Sequence, residues 1–202
     1  MLNKSLIGPL DKGLLFVISA PAGTGKTTLV NMLVKEFPDS IIESCSTTTR
    51  KPRPHEISNQ DYNFVTIEEF EREIKADSFL EYAKVFGNYY GTPKDKIFRL
   101  KEAGKHVILV IDTQGAVAIK KKIDATFIFI APPSFEELKN RLFKRHTEDE
   151  EIIQKRLEWA KQEMTMIPHY DYLIVNEDLE TSYQILRSII IAEEHRRRET
   201  CH

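Results

Sequence analysis

The 202-residue chain has only two cysteines, Cys45 and Cys201, far apart in sequence, the second next to the last residue. That count and spacing exclude the disulfide framework of a small secreted domain and fit a reducing compartment. A basic excess is also missing: 29 Lys and Arg stand against 31 Asp and Glu, for a formal net charge of −2 and a pI near 6.3. Domains that grip nucleic acid are strongly basic overall, so any anion site here has to be a local cluster. Long apolar runs are absent too. The longest, such as residues 107–111, fall far short of the roughly 20 residues that span a bilayer, and MLNKSLIGPL at the N-terminus has no apolar signal-peptide segment. There is no internal repeat or low-complexity tract. His106, His146, His169, His195 and His202 show no zinc-ligand spacing with the cysteines and are expected on ordinary surface. What remains is a soluble, cytoplasmic chain whose length and 41% hydrophobic content suffice for one main core.

Residues 14–18, 107–111, 126–130 and 172–175 are short β-branched or aromatic runs without alternation, the pattern of parallel strands buried on both faces. Helical stretches at 26–37, 135–145, 150–164 and 181–196 interleave with them, predicting an α/β fold. Residues 44–92 interrupt this rhythm with a polar, proline-bearing, tyrosine-rich segment in which only 66–76 reads as helix, Thr66 being a plausible N-cap with Glu69 three residues on. The segment is expected to be an insertion. A charged stretch at 139–162 is expected to form a helical lid, leaving 1–43, 93–138 and 163–202 as the core. The terminal E-E-H-R-R-R-E-T-C-H includes compensating acids and reads as the solvated end of a helix.

Between the first strand and the first helix lies A-P-A-G-T-G-K-T, residues 20–27. It departs from the phosphate-loop pattern G-x-x-x-x-G-K-[ST] only at Ala20, a position that mostly closes the turn. A Cβ is harmful there only if φ is positive. The strand-to-helix setting is the one the pattern requires. Backbone N–H groups around Gly23, Thr24 and Gly25, together with the helix dipole, are expected to face phosphate oxygens. Lys26 would reach the β- and γ-phosphates, and Thr27 would offer its hydroxyl to Mg²⁺. Ala20, Pro21, Ala22 and Thr28 complete the triphosphate-binding segment.

The phosphate acceptor is suggested by S-T-T-T-R-K-P-R-P-H-E-I-S-N-Q-D-Y-N-F at 46–64. Arg50 and Arg53 bracket Pro52, and two guanidinium forks can clamp one phosphate while Glu56 holds a fork in orientation. Tyr62 adds a hydroxyl. With F-L-E-Y-A-K-V-F-G-N-Y-Y-G-T-P at 79–93, I-D-T-Q-G at 111–115 and R-L-F-K-R-H-T-E at 141–148, the chain resembles the guanylate kinases over nearly its whole length. These are nucleoside monophosphate kinases that transfer phosphate from ATP to GMP.

The resemblance implies a P-loop NTPase core with a parallel sheet flanked by helices, a GMP-binding insertion at 44–92 and a helical lid. It implies ATP as donor, Mg²⁺ as cofactor, GMP and dGMP as acceptors, a monomer or homodimer, and no nucleic-acid or membrane partner. Ser46, Glu81 and Thr92 match guanine-contacting residues, and a carboxylate suits guanine because N1–H and N2–H₂ are adjacent donors. Arg50, Arg53, Tyr62 and Tyr90 match the residues that hold the GMP phosphate, with Glu56 and Asp112 completing that site. Lys26, Arg50, Arg141, Arg145 and Arg156 match charges on the transferring phosphoryl.

This sequence departs from the family in three places. Val110 stands for the first acid of L-[DE]-I-D-x-Q-G, with Asp112 on the same side of a strand. His55 and Asn59 replace glycines of R-x-G-E-x-x-G, and His146 replaces a glycine after Arg145. Two other functions stay open: a non-catalytic scaffold, which the intact Lys26, Thr27 and lid arginines argue against, and a GTP-binding switch, for which no N-K-x-D segment is found.

Overall fold

The computed structural model describes residues 6–8, 10–54, 56–85, 87–144 and 150–197. In chain order the elements are β1 (Leu15–Ser19), α1 (Lys26–Glu36), β2 (Ile41–Glu43), β3 (Ser46–Thr48), β4 (Tyr62–Phe64), α2 (Ile67–Lys75), β5 (Phe79–Val85), β6 (Asn88–Pro93), α3 (Lys94–Glu102), β7 (His106–Val110), α4 (Thr113–Lys120), β8 (Thr126–Ala131), α5 (Phe135–Phe143), α6 (Glu150–Met164), β9 (Tyr172–Val175) and α7 (Leu179–Glu194).

The apolar runs form a five-stranded sheet in the order β2-β7-β1-β8-β9, parallel throughout, with Phe16 opposite both Ile108 and Thr126. Every residue of β1 and of β8 is buried. Alternate side chains serve two cores: Ile18 packs with Leu29, Leu33 and Leu186 from α1 and α7, whereas Val17 packs with Ile97, Ala116 and Ile119 from α3 and α4. Burial on both faces is why these strands show no polar alternation. Because β1 lies between β7 and β8, the strand order reverses there, and the carboxyl ends of the strands open a crevice at that switch point.

Residues 46–93 build a second, mixed sheet in the order β4-β3-β6-β5. Helix α2 covers it through Phe70, whose ring stacks on Phe79 and Tyr89 at 4.5 and 5.1 Å. The expected cap is present: Thr66 accepts from the Glu69 N–H and the Glu69 carboxylate accepts from the Thr66 N–H. The four strands, in contrast, were not expected in an insertion whose one expected element was the helix at 66–76. Most are short, and β5 mixes buried Phe79 and Glu81 with exposed Tyr82 and Lys84, so neither unbroken hydrophobicity nor clean alternation marks them. Strand β2 and helices α3 and α4 also escaped notice, being three, nine and eight residues long.

Two surface expectations are corrected. His106 is fully buried: its Nδ1 accepts from the Leu14 N–H at 3.1 Å, so Nε2 carries the proton and donates to Glu194 Oε2 at 2.9 Å. His169 and His195 are exposed, as expected. Nor is the acid pair at the end of α7 simply solvated. Glu194 also accepts from the Gly8 N–H, and buried Glu193 accepts from the Tyr172 hydroxyl at 2.7 Å. Cys45 is buried and free. No helix among the described residues is long and apolar enough to cross a membrane.

Candidate active site

The phosphate loop leaves the carboxyl end of β1 and becomes α1. Ala20 is buried without a positive φ, while Gly23 and Gly25 take φ of 91° and 90°, so the left-handed turns fall on glycines and the Ala for Gly exchange is harmless. Thr24 closes the loop internally: its Oγ1 donates to the Pro21 carbonyl at 2.7 Å, its N–H reaches the same oxygen at 3.3 Å, and its carbonyl accepts from Asn176 Nδ2 at 2.6 Å. Gly25 caps α1, with Lys26 first in the helix and Thr27 and Thr28 exposed beside it.

A cleft of about 290 Å³ runs from this loop to the second sheet. Ala20, Ala22, Lys26 and Thr27 line one end, and Ser46, Arg53, Tyr62, Glu81 and Tyr90 line the other. Val110, Asp112 and Arg156 lie along its walls. Residues distant in the chain and singled out by sequence thus share one opening. Val110 and Asp112 do face the same space, and Asp112 also caps α4, its Oδ1 accepting from the Gly115 N–H at 2.8 Å.

Glu81 is 9% exposed and accepts from the Thr92 hydroxyl at 2.5 Å. Burial, reinforced by the Asp112 charge and opposed by the Thr92 bond, pushes its carboxyl up to about 7. Close approach of Glu81 to α4 depends on Gly115, where a Cβ would stand 2.6 Å from Glu81 Oε2.

Arg50 makes a two-pronged ion pair with Glu56, Nη1 to Oε2 at 2.9 Å and Nη2 to Oε1 at 2.8 Å. Its guanidinium lies over the Tyr62 ring at 5.3 Å, and Tyr62 meets Tyr90 edge to face at 6.0 Å. The bonds to Arg50 hold Glu56 below the usual carboxylate range. Glu56 thus fixes the orientation of Arg50, which like Glu56 is not among the residues lining the cleft, whereas Arg53, largely exposed, lines it directly. Asn59, standing where a glycine was expected, takes φ of 66°, a region that Asn tolerates.

Arg141 does not line the cleft. Its Nε donates to Glu137 at 2.8 Å and its Nη1 to the Asn176 carbonyl at 3.1 Å. Arg145, His146 and His55 lie outside the described residues.

Lys26 donates to the Ala20 carbonyl at 3.4 Å. Crowding by protein lowers its pKa, against the opposing charges of Glu163, Asp112 and Glu43. Sequence reasoning passed over Glu163 and Trp159, which line the cleft from α6, and Asn176, which buttresses the loop. The spacing of Arg156, Trp159 and Glu163, three and then four residues apart, puts all three on one helix face and was a usable signal.

A parallel α/β sheet with a phosphate loop at its switch point, and a cleft running from that loop to Arg53, Tyr90 and a buried carboxylate, defines the class of P-loop nucleotide-binding proteins. The chain belongs to the guanylate kinase family, whose profile matches residues 12–193. It is 56% identical to guanylate kinase from Protochlamydia amoebophila over 95% of this chain and 97% of that protein. With guanylate kinase from Chlamydia felis it shares 50% identity over 93% and 92% of the two chains. The crystal structure of guanylate kinase from Anaplasma phagocytophilum superposes with a TM-score of 0.77 at 35% identity, covering 92% of this chain and 88% of that one.

Proposed function

We propose that the protein is an ATP:GMP phosphotransferase that converts GMP and dGMP to the diphosphates in purine nucleotide metabolism, with residues 44–92 as the acceptor-binding part and 139–162 as the lid. The observation that supports this most directly is the shared cleft, with Lys26 and Thr27 at one end and Glu81, Arg53 and Tyr90 at the other. Ala20 to Thr28 wrap the ATP phosphates through main-chain amides. The ionised Glu81 accepts from guanine N1–H and N2–H₂, with Ser46 and Thr92 beside it. Adenine lacks that donor pair, so AMP would leave a buried carboxylate poorly partnered. Arg53, Tyr62, Tyr90 and the Glu56-oriented Arg50 hold the acceptor phosphate.

Transfer needs that phosphate in line with the γ-phosphorus and positive charge where negative charge accumulates, with no general base. Lys26 and Arg156 supply charge inside the cleft, and Arg141 and Arg145 from the lid side. The protein's donor set for Mg²⁺ fits a phosphate-borne ion: the exposed Thr27 hydroxyl beside Lys26 is available, and among the described residues no group of three His, Cys, Asp or Glu forms a cage. Thr27 would hold Mg²⁺ through its hydroxyl, and the ion would supply positive charge to the phosphates of ATP. Incubation of the purified chain with ATP, GMP and Mg²⁺ should yield ADP and GDP in equal amounts, with AMP a far poorer acceptor. Failure to form GDP would instead favour a scaffold.

A further inference from the structure

The phosphate loop is held from behind by a residue outside the cleft. Asn176 follows β9 directly and is 3% exposed. Its main chain extends the sheet, the N–H donating to the Ala131 carbonyl at 2.8 Å. Its side chain leaves the sheet for the loop, Nδ2 donating to the Thr24 carbonyl at 2.6 Å across 152 residues of chain. A carbonyl only accepts, so the NH₂ end of the amide has to face it. The approach is possible because residue 25 is glycine: a Cβ there would stand 2.6 Å from Nδ2. Gly25 is thus required twice, for its φ of 90° and for the room it leaves.

In a planar trans peptide the C=O and the following N–H point in opposite directions. Drawing the Thr24 carbonyl towards Asn176 therefore turns the Gly25 N–H to the other side, and among the described residues no acceptor takes that N–H. Thr24 does not fix this plane by itself, because its hydroxyl is bound to the Pro21 carbonyl. Resting on the phosphotransferase reading above, we propose that Asn176 is a positioning residue: through the Thr24 carbonyl it sets the 24–25 peptide so that the Gly25 N–H faces the phosphates of ATP. Without that bond the peptide is free to rotate, since a glycine on its far side offers little resistance. With it, the donor is already aimed when the charged oxygens arrive. The Asn176 carbonyl also accepts from Arg141 at 3.1 Å, so α5 and the loop share one anchor at the end of β9.

N176A removes the amide alone, since the bonds to Ala131 and Arg141 use main-chain atoms. The test measures GDP formation by the full chain and by N176A at saturating Mg²⁺, with MgCTP, which carries the triphosphate without the purine, competing against ATP at saturating GMP. N176A should lower kcat/KM for ATP about tenfold, the effect of one misplaced donor to a charged oxygen. The inhibition constant of MgCTP should rise by the same factor, while the KM for GMP stays within about twofold. Tm should fall by a few degrees, because the Thr24 carbonyl is left buried and unpartnered. A wild-type kcat/KM for ATP would overturn the role. So would a loss confined to ATP, which would put Asn176 on the base, or CTP that does not compete in the wild type, which would show that the loop's grip is not on phosphate. A lowered kcat with both KM values and the CTP constant unchanged would reduce Asn176 to a structural part and also overturn it. If N176A does not fold, N176L replaces it: the bulk against Gly25 remains without a donor, and the same split must appear, wild-type values for ATP and CTP again counting against the role. A wild-type chain that forms no GDP would overturn the assigned reaction and this inference with it, whereas a variant's loss alone leaves the reaction standing.

Discussion

The role proposed for Glu81 joins specificity to pH. Its carboxyl is raised by burial from 4.5 to about 7, so in the empty cleft it holds a proton across a range where an exposed glutamate would not. Because the folded value lies above the unfolded one, its contribution to the stability of the ligand-free protein is fullest below about 4.5 and declines as pH rises towards 7; Glu163, also raised to about 7 by burial, acts in the same sense. In the guanine-binding role proposed for Glu81, only the ionised form accepts from GMP. Its affinity should therefore increase as pH rises through 7, falling up to about tenfold per unit below that point, and binding near pH 6.5 should release a proton. Calorimetry in buffers of different ionisation heat checks this. Glu81→Gln should abolish the proton release and raise the KM for GMP by about a hundredfold or more with ATP affinity unchanged; equal loss of both affinities would count against the assignment. Lys26→Ala should act chiefly on kcat, by about a hundredfold or more, with a smaller effect on GMP binding. Steady-state kinetics separates the two.

At the scale of elements, the Glu81 end of the cleft depends on how closely α4 approaches β5. Gly115 is the third residue of α4, and its missing side chain is the space into which Glu81 Oε2 fits. Gly115→Ala sets two effects against each other. Alanine favours a helix by about 1 kcal/mol, but its Cβ would displace the carboxylate, whose far end can move at little cost in stability. The variant should keep a Tm within a few degrees of wild type while its KM for GMP rises about tenfold or more. Thermal melts beside kinetics read both. A similar economy operates at Gly91, where a Cβ would meet Phe70 and Phe79 at 2.8 Å, so the aromatic stack under α2 also depends on a missing side chain.

In the molecule as a whole, stability and chemistry occupy opposite ends of the central sheet. His106 begins β7, and Val110 ends it at the cleft. The His106–Glu194 pair, with the Leu14 and Gly8 N–H groups bound to it, ties the N-terminal segment and α7 to the sheet at the end away from the phosphate loop. Glu194→Ala would strip partners from a buried imidazole N–H and a backbone N–H, costing about 1–3 kcal/mol for each group left unsatisfied. A Tm lower by several degrees and a nearly unchanged kcat are expected, measured by calorimetry and by GDP formation at 25 °C.

The sequence by itself determined the parallel sheet, the phosphate loop and the identity of most residues on the cleft. Buried parallel strands must be continuously apolar, and a phosphate loop must place glycine, lysine and threonine at fixed offsets, so both leave local marks. Three-residue strands, a buried histidine and an acid at the end of a helix leave none, because their burial is decided by what packs over them. Glu163, too, reads locally as one more charge on a polar helix. Tertiary structure alone decided which acids share the cleft with Lys26 and that Arg50 is the fork Glu56 holds, since charges interact through space and their partners here come from other turns, strands and helices.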